Sequence, residues 1–173
     1  MKCRKMEIPL FSLVQKYLPV NYTDAFSCNL IGDKVVLSAD EIMIDFWTVM
    51  PRWVNSLFKL RNLLVRPFGL ATENREKHNQ ELKEVIRSGK GCSGLISVLD
   101  KTEDEIVVLL SDKHLDAYMS VLVKKNEDTQ TVFVITLVRY HNRLGKIYFS
   151  LISPFHIAVV KAMLKSTLKR MIK

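Results

Sequence analysis

The chain has 173 residues, 48% hydrophobic and 25% charged, with 26 Lys and Arg against 18 Asp and Glu. This make-up excludes a disordered tail, and at roughly 100–200 residues per domain it excludes a multidomain enzyme carrying its own cofactor domain. The surplus of +8 raises nucleic acid or an anionic surface as a partner.

The N-terminal extension, to about residue 20, reads MKCRKMEIPLFSLVQKYLPV. Its Lys/Arg start imitates a secretory signal. Glu7 interrupts it early, the apolar run from Ile8 to Val14 stops at Gln15 and Lys16, and no small-residue cleavage site follows, so we expect no secretion. A short helix is predicted over about 10–18, ended by Pro19. Tyr22 to Leu30 predicts a strand, with Gly32-Asp33 turning after it. Ser38 followed by Glu41 has the spacing of a capping box, in which two side chains satisfy free first-turn N–H groups, and predicts a helix from about Ala39 to Val49. Pro51 breaks or restarts it. Trp53, Leu57, Leu60 and Leu64 then recur at helical spacing until Pro67 and Gly69. Ala71 to Lys90 is polar, with a short helix expected near Glu81–Arg87.

The period changes in the second half. Leu95–Leu99, Ile106–Leu110, Leu115–Val123 and Thr131–His141 are apolar or β-branched and bounded by turn residues. Loops this short join antiparallel neighbours, because a parallel return needs a crossover of a dozen residues or more. Both faces of the last strand are largely apolar, which predicts cover on both sides. From Leu144 the pattern is helical. Ile157, Val160, Leu164, Leu168 and Met171 form one stripe, and Lys161, Lys165, Lys169 and Lys173 a ridge beside it. Pro154 is expected to kink this stretch or split it into two elements. No run of about 18 uncharged apolar residues occurs, so no spanning helix is expected.

The predicted architecture is a single α+β domain over residues 1–173. A curved antiparallel sheet packs against a long C-terminal helix, with a helix pair after the first strand, and a pocket can open where the layers splay apart. Much of the positive charge lies on two helices, with Arg52, Lys59, Arg61 and Arg66 on one and Lys161, Lys165, Lys169, Arg170 and Lys173 on the other. These read as solvated helix faces. No basic–aromatic motif of a nucleic-acid reader accompanies them, so nucleic acid is not an expected partner. Cys3, Cys28 and Cys92 are odd in number and far apart, which argues against a disulfide framework or a Cys-rich zinc site and for a reducing, cytoplasmic setting.

Several runs occur together in a characteristic order: Asp24-Ala25-Phe26, Pro51-Arg52-Trp53-Val54, Leu60-Arg61-Asn62 and Phe68-Gly69-Leu70, then Asp112-Lys113-His114-Leu115-Asp116, His141-Asn142-Arg143-Leu144-Gly145, Tyr148 and Pro154-Phe155-His156. In this order they resemble the bacterial family catalogued as domain of unknown function 2867, over about residues 20 to 165. That family in turn resembles the helix-grip polyketide cyclase and lipid-transfer superfamily. The resemblance implies a sheet wrapped around the C-terminal helix, with apolar ligands held between them. Some longer members attach the module to a nucleotide-binding dehydrogenase domain, which this chain lacks, so no reductase chemistry is implied here.

Gly89-Lys90-Gly91-Cys92-Ser93-Gly94 satisfies GxGxxG, but a polar segment precedes it and a strand follows, so it reads as a turn and not as a dinucleotide fingerprint. Asp112, His114 and Asp116 alternate and share a face if the segment is extended. Carboxylate and imidazole together suit a divalent cation, yet a hairpin in which Asp112 caps backbone donors is the simpler account. Arg139 and His141 share a strand face at the sheet end. Arg139 there could bind a carboxylate or phosphate, or the pair could close an edge ion pair with Asp112 or Asp116. Asn142 is the expected N-cap of the last helix. His156 reads as a packing residue. Asp24, between Tyr22 and Phe26, faces either a pocket or an arginine such as Arg52 or Arg61.

The expected function is therefore binding of a small apolar or amphipathic ligand between sheet and helices, with Arg139, His141, Asp112, His114 and Asp116 as orienting polar groups. No metal and no cofactor are expected. Two alternatives stand beside it. One is a cyclase- or hydrolase-like enzyme using a histidine–carboxylate acid–base pair. The other is an interaction module at an anionic membrane surface.

Overall fold

The computed structural model describes residues 3–31, 36–57 and 79–172. The turn expected at Gly32-Asp33, the second helix beyond Leu57 with Lys59, Arg61 and Arg66, its end at Pro67 and Gly69, and Lys173 lie outside the described residues.

Seven strands form one open antiparallel sheet: β1 (Cys3–Lys5), β2 (Tyr22–Ile31), β3 (Cys92–Ser93), β4 (Ile96–Lys101), β5 (Glu105–Ser111), β6 (Leu115–Lys125) and β7 (Thr129–Tyr140), in the order β1-β2-β7-β6-β5-β4-β3. Among the described residues the α-helices α1 (Ala39–Thr48), α2 (Asn79–Ser88) and α3 (Arg143–Met171) accompany them. Residues 52–57 are helical too. This is the expected α+β arrangement, a sheet with a long C-terminal helix and a helix pair after the first long strand. β1 and β3 were not foreseen. They are three and two residues long, too short to show a period of two.

Alternation along each strand builds two apolar faces. On one face Phe26, Ile106, Val108, Met119, Val121, Val132 and Val134 pack beneath Ile42, Met43 and Phe46 of α1, Leu82 and Ile86 of α2, and Val160, Met163, Leu164 and Leu168 of α3. On the other, Ala25, Val107, Tyr118, Leu122, Phe133, Ile135 and Leu137 lie beneath Val14, Ile8, Leu13, Tyr17 and Val20. The N-terminal extension is thus the second cover that the two-faced apolar pattern of β7 required. A 3-10 helix (Leu13–Tyr17) stands where an ordinary short helix was predicted.

A buried acid fixes this cover. Glu105 is 2% exposed. Its Oε1 accepts from Ser12 Oγ at 2.6 Å and Ser120 Oγ at 2.5 Å, and its Oε2 accepts from the backbone N–H of Leu13 at 2.8 Å. Three donors on one carboxylate offset the cost of taking it out of water. Beside it, Tyr17 donates its hydroxyl to Asp100, and Lys16 lies 2.6 Å from the same carboxylate. Burial pushes Asp100 upward, but the hydrogen bonds from Lys16 and Tyr17 prevail and hold it below the ordinary carboxylate value.

Three local expectations need correction. Ser38 is the N-cap of α1 but makes no side-chain cap bond, and the Glu41 carboxylate lies 3.2 Å from Arg87 of α2. Pro154 neither ends nor divides α3, which runs through it. Proline removes the N–H that would bond Ser150 O, and Ser153 Oγ donates to that carbonyl at 3.3 Å in its place. Cys3 and Cys28 form a disulfide between paired positions of β1 and β2, leaving Cys92 as the free, exposed thiol. A count of three cysteines could not show that two of them would face each other across a strand pair. By length and composition alone α3 could also cross a membrane, although Lys161 interrupts its apolar run.

Candidate functional site

The turn between β5 and β6 meets the first turn of α3 at one end of the sheet. Asn142 caps α3 as expected, its Oδ1 accepting from Gly145 N–H at 3.0 Å. Its amide also reaches Lys113 O at 3.3 Å and His114 Nδ1 at 3.0 Å. His114 O accepts from His141 N–H at 2.9 Å. The approach is so close that a Cβ on Gly145 would stand 2.0 Å from His114 O. Only glycine lets the helix start here.

The five expected polar residues divide among four local tasks. His141 Nε2 lies 3.0 Å from Asp116 Oδ2, and Ser111 Oγ donates to Asp116 Oδ1 at 2.7 Å. The hydrogen bond with Asp116 raises the His141 imidazole above its ordinary value, against a smaller opposing effect of burial. Arg139 turns to the N-terminal extension instead, donating to Tyr17 O at 3.2 Å, with its guanidinium 6.0 Å from the centre of the Tyr118 ring. Asp112 sits in the turn, its N–H bonded to Leu115 O and its carboxylate accepting from Lys113 N–H. His114 belongs to the helix cap. So the structure joins the side chains of His141 and Asp116, brings Asp112 and His114 to His141 through their backbone, and turns the Arg139 side chain to the N-terminal extension. Among the described residues no group of three or more His, Cys, Asp or Glu could hold a metal ion.

A second cluster lies between sheet and helix, on the side of the sheet that carries α3. Asp24 of β2 is 3% exposed, and its side chain is fully buried. Tyr22 donates its hydroxyl to Asp24 Oδ2 at 2.7 Å, and His156 Nε2 of α3 lies 3.3 Å from the same oxygen, off the hydrogen-bonding direction. Asp24 Oδ1 has no hydrogen-bond partner among the described residues. Aromatic rings enclose the group. Tyr22 and Phe149 have centroids 4.7 Å apart, Phe149 and His156 5.9 Å, and Tyr140 and Phe149 6.0 Å. Burial first, and then the hydrogen bond to Asp24, push the Tyr22 phenol above its ordinary value.

His156 was expected only as packing, and Asp24 was left between a pocket and an arginine partner. Two signals point to the cluster. Tyr22, Asp24 and Phe26 alternate, so they share a strand face. Gly145, Phe149, Ile152 and His156 recur at spacings of three and four on one helix face. What neither pattern carries is that the two faces meet.

An open groove of about 710 Å³ lies elsewhere, at the far end of β1, β2, β6 and β7, lined by Arg4, Asn29, Lys124, Thr131 and Phe133 among others. None of the expected polar residues borders it.

Comparison with known proteins gives a family. The profile of the family described as "Protein of unknown function (DUF2867)" matches residues 18–163. No curated protein matches the chain.

Proposed function

Since the chain belongs to this family of proteins of unknown function, whose description carries no reaction, we propose from its geometry that it binds a small apolar or amphipathic molecule. The place is between the sheet and α3, with Asp24, His156 and Tyr22 as the polar anchor. The observation behind the proposal is the carboxylate of Asp24, buried with one oxygen lacking a partner among the described residues. Leaving a buried acceptor unpaired costs about 1–3 kcal/mol, more when charged. A hydroxyl or ammonium on an otherwise apolar ligand supplies the missing donor. The Tyr22, Phe149 and Tyr140 rings provide an apolar lining, and His156, with a side chain 21% exposed, is the way in. The helix-grip resemblance supports the same location. The strand-end groups already engage one another and the N-terminal extension, so the anchor is placed at Asp24.

The test is thermal stabilisation of the full chain by n-octylamine, n-octanol and n-octanoate below their micellar concentrations. The amine and the alcohol raise Tm in the natural chain and lose this effect in Asp24→Asn, while octanoate does neither. Stabilisation by none of the three, or undiminished stabilisation in Asp24→Asn, overturns the reading.

A second reading is acid–base catalysis of the cyclase or hydrolase kind. It is favoured by the His141–Asp116 pair, where a carboxylate holds an imidazole in a fixed orientation. On that reading His141→Gln abolishes turnover of a substrate found by screening and leaves octylamine binding intact.

A further inference from the structure

We propose that the outward face of α3 docks on an anionic membrane surface, with the helix lying in the plane of the interface. The inward face of α3 is committed to the protein: Phe149, Val160, Met163, Leu164 and Leu168 are buried. The opposite face is not. Ile147, Leu151 and Phe155 follow one another at spacings of four and are 59%, 69% and 59% exposed. Four-residue spacing places them in one row, about 12 Å long from Ile147 to Phe155 at ~1.5 Å per residue. Single exposed apolar residues are ordinary, whereas a contiguous row marks a contact surface.

Charge identifies the partner. From Arg143 to Met171 the helix carries Arg143, Lys146, Lys161, Lys165, Lys169 and Arg170 and no Asp or Glu. Lys165 stands eighteen residues after Ile147, and Lys169 eighteen after Leu151. Eighteen residues are five full turns at ~3.6 per turn, so both lysines continue the apolar row along the helix. Both are exposed, as are Arg143 and Lys146 at the other end. Of the six cations, Arg170 is held by Asp45 and Lys161 lies 5.0 Å from the centre of the Phe26 ring; the other four take part in no ion pair among the described residues. The face therefore reads basic, apolar, basic. Such a pattern sinks its middle into the headgroup boundary while lysine and arginine stems reach lipid phosphates on either side.

The composition that lets α3 pass as a spanning segment does not make it one. Crossing a bilayer would strip Val160, Met163, Leu164 and Leu168 from the sheet core and carry Asp24 away from His156. Lying flat costs none of these contacts.

Co-sedimentation of the full chain with vesicles tests the proposal. Phosphatidylcholine mixed with phosphatidylglycerol in equal parts binds the chain, phosphatidylcholine alone does not, and binding falls steeply as salt screens the surface. Lys165→Gln and Lys169→Gln each lower the partition roughly fivefold. Leu151→Asp lowers it at least tenfold, with circular dichroism and Tm unchanged because the side chain faces solvent. Absence of binding to the anionic vesicles at low salt overturns the proposal, as does binding undiminished in Leu151→Asp. Attachment that alkaline carbonate does not strip indicates a spanning helix and overturns it. So does a dimer in lipid-free solution that Leu151→Asp dissociates, which would make a second copy the occupant of this face.

Discussion

His156 Nε2 lies 3.3 Å from Asp24 Oδ2, tying the middle of the longest helix to a carboxylate sealed beneath it. The pair joins the two layers of the fold beside the rings of Tyr22, Phe149 and Tyr140, with the Tyr22 hydroxyl on the same carboxylate oxygen.

Removing one partner should therefore cost more than removing both. His156→Leu leaves the Asp24 carboxylate with the Tyr22 hydroxyl alone, and we expect a loss of about 1–3 kcal/mol. Combining it with Asp24→Asn recovers part of that loss, since a neutral amide tolerates burial better. A double-mutant cycle by urea unfolding should return a coupling of about 0.5–3 kcal/mol, the range for residues in contact. Strictly additive losses would show that the two groups are neighbours without being partners.

Gly145→Ala should be among the most damaging single changes in the chain. The added methyl would sit 2.0 Å from His114 O, a backbone atom that cannot swing aside. Either the first turn of α3 or the β5–β6 turn must move. We expect a loss of about 3 kcal/mol or more by chemical denaturation, far above the cost of overpacking a yielding side chain.

Glu105→Ala removes the acceptor for Ser12, Ser120 and Leu13 N–H together. Hydrogen bonds to a charged group contribute about 1.5–3 kcal/mol each, but they are shared here, and we expect a total loss of about 3 kcal/mol. Glu105→Gln should cost less, because the amide oxygen can still serve Leu13 while the hydroxyls rotate to accept from its NH2. Limited proteolysis should open residues 6–20 in the alanine variant before the rest of the chain unfolds.

The His141–Asp116 pair makes a pH-dependent contribution. Its sign follows from the raised imidazole. The proton is held more tightly in the folded chain, so the stabilisation is fully present below the unfolded value of about 6.5 and fades as pH rises through the higher folded value. Asp116→Asn should thus narrow the stability gap between pH 5.5 and pH 8.5, and should lower the His141 titration midpoint followed by NMR. An unchanged midpoint would remove Asp116 as the cause.

The parts of this molecule that were legible from sequence are those written as a period. β5, β6 and β7 are apolar runs bounded by turn residues, α3 repeats its apolar stripe, and the apolar character of both β7 faces foretold a second cover without saying what it was. That cover turned out to be residues 6–20, whose anchor is Glu105. Glu105 reads as the end of an acidic turn, Glu103-Asp104-Glu105, and its partners Leu13 and Ser12 stand 92 and 93 positions away. The Asp24–His156 cluster escaped for the same reason: each residue lies on a readable face, and which faces meet is a property of the packed chain. The disulfide is a matter of register. Cys3 falls opposite Cys28 only because a three-residue strand pairs in one alignment and not the next, and a count of cysteines carries no register. Pro154 does not split α3 in two: the helix runs through it, with the Ser153 hydroxyl on the carbonyl that proline leaves without its N–H partner.

The shortness of β1 and β3 has its own outcome for how copies of this protein behave together. An open sheet leaves unsatisfied amides along both margins, an invitation to strand-by-strand polymerisation. Here the sheet ends in three residues on one side, two of them Arg4 and Lys5, and in two residues on the other, beside a sequence of left-handed glycines at Gly89, Gly91 and Gly94. The two outermost strands are thereby brief and, on one side, cationic, which makes each of them a poor template for a neighbouring chain.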